Sequence, residues 1–411
     1  MLKLLEGIKV VDFTTIVLGP YATQFLGDFG AEVIKVEPFA GDGFRAVRPG
    51  PSADIGAGFA AFNRNKRSIV LDLKQPAGQE VLGHLVKDAD VVVHNMRGMS
   101  ALALGIAYEQ LRLLKPDLVY CWSPGFASHG PDANSPAYDD IIQARSGVAA
   151  LNADADNAPQ FLRSVVCDKV VGLHLALAIA AAIVHRLRTG EGQSIEVPML
   201  ENMTSFLLAE HLAGHTMEPA QGEMGYERMM TANRRPFKTA DGYMAIMPYS
   251  TKQWIQFLQL VGERSLAGAD WVLDAAARSN RIDELYQLIA QVAPRHSNTQ
   301  WQQQLSTNDI PCAVVNALGD VLADPQLAAS GALQTMQDED LGTLRYLQPG
   351  FFAGGPNGSD GSDSKDADTA SDPAPRRAPH LGEHGRQILA ELGYEAQAIQ
   401  SLIDAQVVGD Y

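Results

Sequence analysis

Cysteine is scarce in this chain, with three in 411 residues: Cys121, Cys167 and Cys312. Three scattered thiols build neither a disulfide framework nor a zinc site. The ten histidines show no HExxH or related ligand spacing, so no metal is expected. Positive charge is also short. Lys and Arg total 32 against 48 Asp and Glu, a net charge of −16, which argues against a nucleic-acid partner. The glycines of a dinucleotide fingerprint are missing. After the first apolar strand the chain reads Phe13-Thr-Thr-Ile-Val-Leu-Gly19-Pro20-Tyr21, with one glycine and a proline, and no Walker pattern occurs either. No run of 18 apolar residues exists. The nearest, Val170 to Val184, spans 15 residues including His174 and reads as a buried helix. The opening MLKLLEGIKVVDF lacks the features of a secretory signal, so a cytoplasmic chain with no membrane partner is expected.

What is present is an α/β alternation. With 46% hydrophobic residues, 411 residues suffice for two or three cores at about 150 residues each. Strands are predicted at 8–13, 32–37, 68–73, 90–95 and 118–123, with helices over 20–29, 76–87 and about 100–115. Short apolar strands alternating with amphipathic helices imply a parallel sheet covered on both faces, with ligands at the C-terminal ends of the strands. Gly19-Pro20 fits a tight strand-to-helix turn, with proline in the first helical turn. Further on, helices are predicted within 139–187, and a second small α/β unit over roughly 226–325. Its strands fall at 243–247 and 312–316. Residues 356–373 are low-complexity and acidic, a composition that favours a disordered loop.

Three places could carry chemistry. Four cations flank one predicted strand in Arg64-Asn-Lys66-Arg67 through Lys74, within an otherwise acidic chain. They suit either a solvated sheet edge or a clamp for phosphates. Asp168 stands just before the apolar stretch of a long helix. It suits either an N-cap or a carboxylate nucleophile kept ionised by the helix field. Cys167 beside it is a rival nucleophile with no histidine nearby in sequence. Tyr138-Asp139-Asp140 opens a further helix, where a cap competes with a ligand-facing role.

Several segments in order carry a likeness: LEGIKVVDFT (5–14), GPYATQFLGDFGAEVIKVE (19–37), NRNKRSIVLDLK (63–74), ADVVVHN (89–95), LVYCWSPGF (118–126), AYDDIIQARSG (137–147), RLRTGEGQSIEVPMLE (186–201), IPCAVVNALGDVLADPQL (310–327) and RRAPHLGEH (376–384). Together they resemble the family III CoA-transferases, the group of L-carnitine dehydratase and bile-acid-inducible protein F. The resemblance implies a Rossmann-like large domain built from both chain ends and a small central α/β domain, in a ring-like chain that interlocks into a homodimer. Residues 1–200 would form the first part of the large domain, 201–225 a connector and 226–325 the small domain. Residues 326–355 would form a second connector, 356–373 the disordered acidic loop, and 374–411 the return of the large domain.

The same resemblance implies Asp168 as the nucleophile that attacks a CoA thioester and forms an aspartyl acyl anhydride. Asp139 and Tyr138 would stand beside it. It places CoA contacts on Val17, Leu18, Leu71, Lys74, Asn95, Met96 and Arg97. The CoA thioester would be a substrate, with no permanent cofactor and no metal, and the partners would be acyl-CoA and a carboxylic acid. The chain departs from the family at Pro38, where Arg or Lys often stands, and at His94-Asn-Met-Arg-Gly98, where ENFRPG is usual. Only Gly222 and Gly225 stand near the position of the glycine-rich lid of some formyl-CoA transferases.

The α-methylacyl-CoA racemase branch uses a His-Asp pair where this chain has Tyr138-Asp139. A phenol with a pKa near about 10 serves poorly as the base for α-proton exchange. A non-catalytic acyl-CoA-binding protein is a further alternative, under which Asp168 would be dispensable. Two carboxylates must visit the site in turn, and Arg145, Lys169, Arg228, Arg234 and Arg235 are candidate cations to offset their charge. A short polar acyl group of the succinyl kind follows as the expected substrate.

Overall fold

The structure is a computed structural model that describes residues 3–154, 156–351 and 375–410. The acidic loop expected at 356–373 lies outside the described residues. The chain divides into two compact units, one of 1–207 with 332–411 and one of 208–331.

The first unit is organised by a six-stranded sheet. Its strands are β1 (Lys9–Asp12), β2 (Glu32–Glu37), β3 (Lys66–Val70), β4 (Val91–His94), β5 (Val119–Trp122) and β6 (Gln193–Glu196). They lie in the order β3-β2-β1-β4-β5-β6, and every pairing is parallel. Alternate residues serve opposite faces. Val10, Val33, Val91, Val93 and Val119 pack with the helices Leu18–Asp28 and Val166–Thr189. Val11, Ile34, Val36, Val92 and Tyr120 pack with Pro76–Asp88, Gly385–Glu391 and Ala396–Asp404. Both faces are covered, which is why these strands read as near-continuous Val and Ile runs. The strand order reverses between β1 and β4. In such sheets a crevice opens at that point, beyond the C-terminal ends of the strands.

Several local expectations shift. The single helix predicted at 100–115 is two short ones, Gly98–Ala103 and Tyr108–Leu111, separated at Gly105 with φ +73°. β3 begins two residues earlier than predicted and ends at Val70. Past that point Leu71 bridges to Val408 and the Asp72 N–H donates to the Val407 carbonyl, so the C-terminal segment takes over the edge. The span 326–355, expected as a connector, carries an antiparallel hairpin of β10 (Leu333–Asp338) and β11 (Gly342–Leu347). The helix Val166–Thr189 buries one face only. Val171, Leu175 and Ile179 are inside, whereas Leu173, Leu177 and Leu187 are exposed.

The second unit holds a three-stranded antiparallel sheet of β7 (Phe237–Lys238), β8 (Tyr243–Ile246) and β9 (Cys312–Val314). Its core gathers Trp254, Phe257, Tyr286 and Trp301 from three surrounding helices. Arg228, Arg234 and Arg235 belong to this unit.

Candidate active site

The crevice predicted by the strand order is a cleft of about 410 Å³. Thr15, Ile16 and Leu18 line it after β1, Asn95, Met96 and Arg97 after β4, and Ser123 and Gly125 after β5. Tyr138 and Asp168 close it. Of the expected site residues, the fold therefore gathers Leu18, Asn95, Met96, Arg97, Tyr138 and Asp168 around one space. Val17 is buried at the head of the Leu18–Asp28 helix, and Leu71 is buried beside Val408. Lys74 is exposed, with its N–H on the Asp72 carboxylate. None of these three lines the cleft. Ser100, Ser123 and Met199 line it without having been singled out in the sequence. The signal for Ser123 was its place just past the end of β5.

Asp168 does not cap its helix. The N-cap is Val165, which offers no side-chain cap, and Asp168 sits within the first turn. Among the described residues its carboxylate accepts no hydrogen bond, although its N–H donates to Oδ1 of Asp139 at 3.0 Å. The helix field was expected to keep Asp168 ionised. Burial pushes its carboxyl up, the Asp139 charge adds to the effect, and the group reaches about 7.

Asp139 has a different situation. It is buried, and Oδ2 accepts from Nε2 of Gln143 at 2.6 Å while Oδ1 takes the Asp168 N–H. Gln143, itself buried, accepts the Leu162 N–H at 2.8 Å on Oε1, which ties the segment entering the Asp168 helix. Asp139 thus acts on Asp168 through charge and backbone position, from outside the cleft lining. Tyr138, the residue before it, is 70% exposed and reaches the cleft. Cys167 is fully buried, with its thiol pushed up to about 12 mainly by burial, so it offers no thiolate to compete with Asp168.

The two helices that flank the cleft approach closely at Gly172. A Cβ there would stand 2.7 Å from the Leu18 carbonyl oxygen.

Arg64, Lys66 and Arg67 of the basic segment form neither a solvated edge nor a free clamp. Arg64 pairs with Asp28, Lys66 with Asp12, and Arg67 with Glu32 and Glu391. All three cations are buried, and burial draws Lys66 down to about 8. Their charge is matched by carboxylates of the sheet and of the helices packed on it, as buried cations require. Of the other candidate cations in this unit, Arg145 pairs with Asp132 at 2.6 Å and Lys169 donates to the Ser164 hydroxyl at 2.7 Å. Among the described residues that line the cleft, Arg97 is the one cation.

Among the described residues, no group of His, Cys, Asp and Glu is arranged to hold a metal ion. The cleft therefore offers an unengaged carboxylate of raised pKa, a nearby phenol, one guanidinium and the loops at the switch point of a parallel sheet. Comparison with known proteins gives this set a family. The chain is 31% identical over 396 residues to succinate–glutarate CoA-transferase of Agrobacterium fabrum, covering 94% of this chain and 95% of that one. It is 28% identical over 417 residues to succinyl-CoA:glutarate CoA-transferase of Homo sapiens, covering 100% and 91%. A crystal structure of a CAIB/BAIF family protein from Brucella suis superposes with a TM-score of 0.77 at 29% identity, over 95% of this chain and 100% of that one. The family model for CoA-transferase family III matches residues 5–385, and the chain belongs to that family of enzymes.

Proposed function

We propose that this CoA-transferase moves CoA between a short dicarboxylic acyl thioester and a free acid, with Asp168 as nucleophile. The observation that carries the reading is the state of the Asp168 carboxylate. It faces the cleft and, among the described residues, accepts no hydrogen bond, whereas both oxygens of neighbouring Asp139 are engaged. An ionised Asp168 oxygen attacks the thioester carbonyl carbon, the C–S bond breaks, and CoA leaves as thiolate. The product is an acyl anhydride on Asp168. The thiolate then attacks the Asp168 carbonyl and releases the first acid, leaving CoA on the enzyme. The incoming carboxylate displaces CoA to form a second anhydride. Attack of the thiolate on its acyl carbon frees the new thioester and restores the carboxylate.

Leu18, Asn95, Met96 and Arg97 hold the thioester end of CoA on this reading. Val17 supports the same loop from beneath, Lys74 serves the remote nucleotide end, and Leu71, buried beside Val408, supports the segment that carries it. Tyr138 orients the acyl group. The substrate class draws support from the two transferase relatives, which are named for succinate or succinyl-CoA and glutarate. Arg97, without an ion pair among the described residues, is suited to meet the distal carboxylate of such an acid. The interlocked homodimer and the cytoplasmic setting belong to the same proposal. Sedimentation and cell fractionation test them.

The direct experiment is label exchange between succinyl-CoA and free glutarate. Exchange in the wild type and none in Asp168→Asn supports the reading. Turnover confined to long-chain acyl-CoA refutes the substrate class, and α-proton exchange without an acceptor acid transfers the chain to racemase chemistry.

A further inference from the structure

The loop after β1 is held more firmly than a surface loop needs. Ile16 has φ +72°, a left-handed conformation that a β-branched residue rarely adopts. Strain of this kind persists where surrounding groups over-determine it. Here the groups are identifiable. The Ile16 N–H donates to Oδ1 and Oδ2 of Asp42 at 3.0 and 3.2 Å. Asp42 also accepts the Phe44 N–H at 2.9 Å and pairs with Lys35 at 2.9 Å, both side chains being fully buried. Lys35 Nζ in turn donates to the Thr14 carbonyl at 2.7 Å. One ion pair therefore grips the backbone on both sides of Thr15.

From the other side, Asn95 accepts the Thr15 N–H at 3.0 Å and donates to the Thr15 carbonyl at 2.9 Å. Among the described residues, the amides of Val17, Leu18 and Gly19 that follow have no acceptor. Asp42 itself does not line the cleft, whereas Thr15, Ile16 and Leu18 do.

We propose that Asp42 is a positioning residue for CoA binding. With Lys35 as its partner, it holds Ile16 in the left-handed conformation that sets the Thr14–Leu18 loop in its binding geometry. The inference rests on the proposal that the cleft takes CoA. A preorganised loop spares the ligand the ordering of that segment, and the benefit is lost when the loop can relax. Ground state and transition state use the loop alike, so the effect falls on KM rather than kcat.

The test measures CoA binding by calorimetry, KM and kcat in exchange, and melting temperature, on the full chain. Asp42→Asn is expected to raise the Kd for CoA and the KM for acyl-CoA about tenfold, the order set by release of a strained residue, with kcat within about threefold. The Ile16→Gly background isolates the cause, because glycine adopts the left-handed conformation without the penalty. There, Asp42→Asn is expected to raise Kd by a much smaller factor than in the wild type. Equal factors in both backgrounds overturn the proposal. So does a fall in melting temperature with Kd and KM unchanged, which leaves Asp42 a purely structural role. If Asp42→Asn alone does not fold, Asp42→Asn with Lys35→Met removes both buried charges and carries the same expectations. Wild-type chain that fails to bind CoA overturns the functional reading and this inference together. Wild type and variant binding CoA equally overturns this inference alone.

Discussion

Asp168→Asn should abolish exchange and at the same time stabilise the folded chain above neutral pH. In the folded protein the carboxyl is raised from the ordinary 3.8 to about 7 by burial and by the Asp139 charge. Between about pH 4 and 7 the folded state keeps a proton that the unfolded state has released. Wild-type stability therefore declines with rising pH across that window, and the decline is complete above about 7. At about 1.4 kcal/mol for each tenfold in proton affinity, the ionised form costs up to about 4 kcal/mol. Asparagine has the same shape and no charge to bury, so at pH 8 the variant should exceed the wild type by roughly 2–4 kcal/mol. Near pH 4 the two should be alike. Calorimetric melting at pH 5 and pH 8, alongside label exchange, reads both effects. Equal melting temperatures at pH 8 would refute the burial argument, and surviving exchange would refute the nucleophile.

The pH–rate profile offers a related check: kcat/KM should rise through about pH 7 as Asp168 ionises in the free enzyme. Asp139→Asn keeps an acceptor for the Asp168 N–H but removes the neighbouring charge, so that limb should move to lower pH; an unmoved limb would count against the electrostatic role. Gly172→Ala sets a Cβ 2.7 Å from the Leu18 carbonyl, so the Val166–Thr189 helix must retreat. A stability loss of about 1–3 kcal/mol is expected, with a raised KM for acyl-CoA, measured by denaturant titration and steady-state kinetics. Lys74→Ala should raise that KM with kcat little changed, and an unaltered KM would remove Lys74 from the binding surface.

The strands that could be read from sequence were those buried on both faces. β1, β2, β4 and β5 are runs of Val, Ile and Tyr whose period is masked by double burial but whose length and spacing are plain. β6 was missed because Gln193-Ser-Ile-Glu196 is an edge strand with one apolar residue. The β10–β11 hairpin was missed for a similar reason. Leu333–Asp338 is polar at four of six positions and only partly buried, and it gains its place by pairing with Gly342–Leu347. Asp168 could be seen as an acid ahead of a long apolar helix. Its state could not be seen, because the helix begins at Val166, the cap falls on Val165, and the burial depends on residues far away in the chain.

The basic segment shows most clearly what residue type alone leaves undetermined. Arg64, Lys66 and Arg67 were candidates for a phosphate clamp because cations are few in this chain. Their scarcity has another consequence in the folded protein. Buried Asp12 and Asp28 and the half-exposed Glu32 require partners, and the cations on and beside β3 supply them. Lys35 and Arg45 do the same for Asp42 and Glu37. Breaking one such buried pair strands the other charge, at a penalty of about 3–5 kcal/mol. These cations are therefore engaged within the fold, and among the described residues that line the cleft Arg97 is the one cation. An enzyme that must admit one carboxylate and release another is well served by that division. Charge that is already matched inside the fold cannot trap the leaving acid, and a single exposed guanidinium in a solvated cleft holds an anion only weakly.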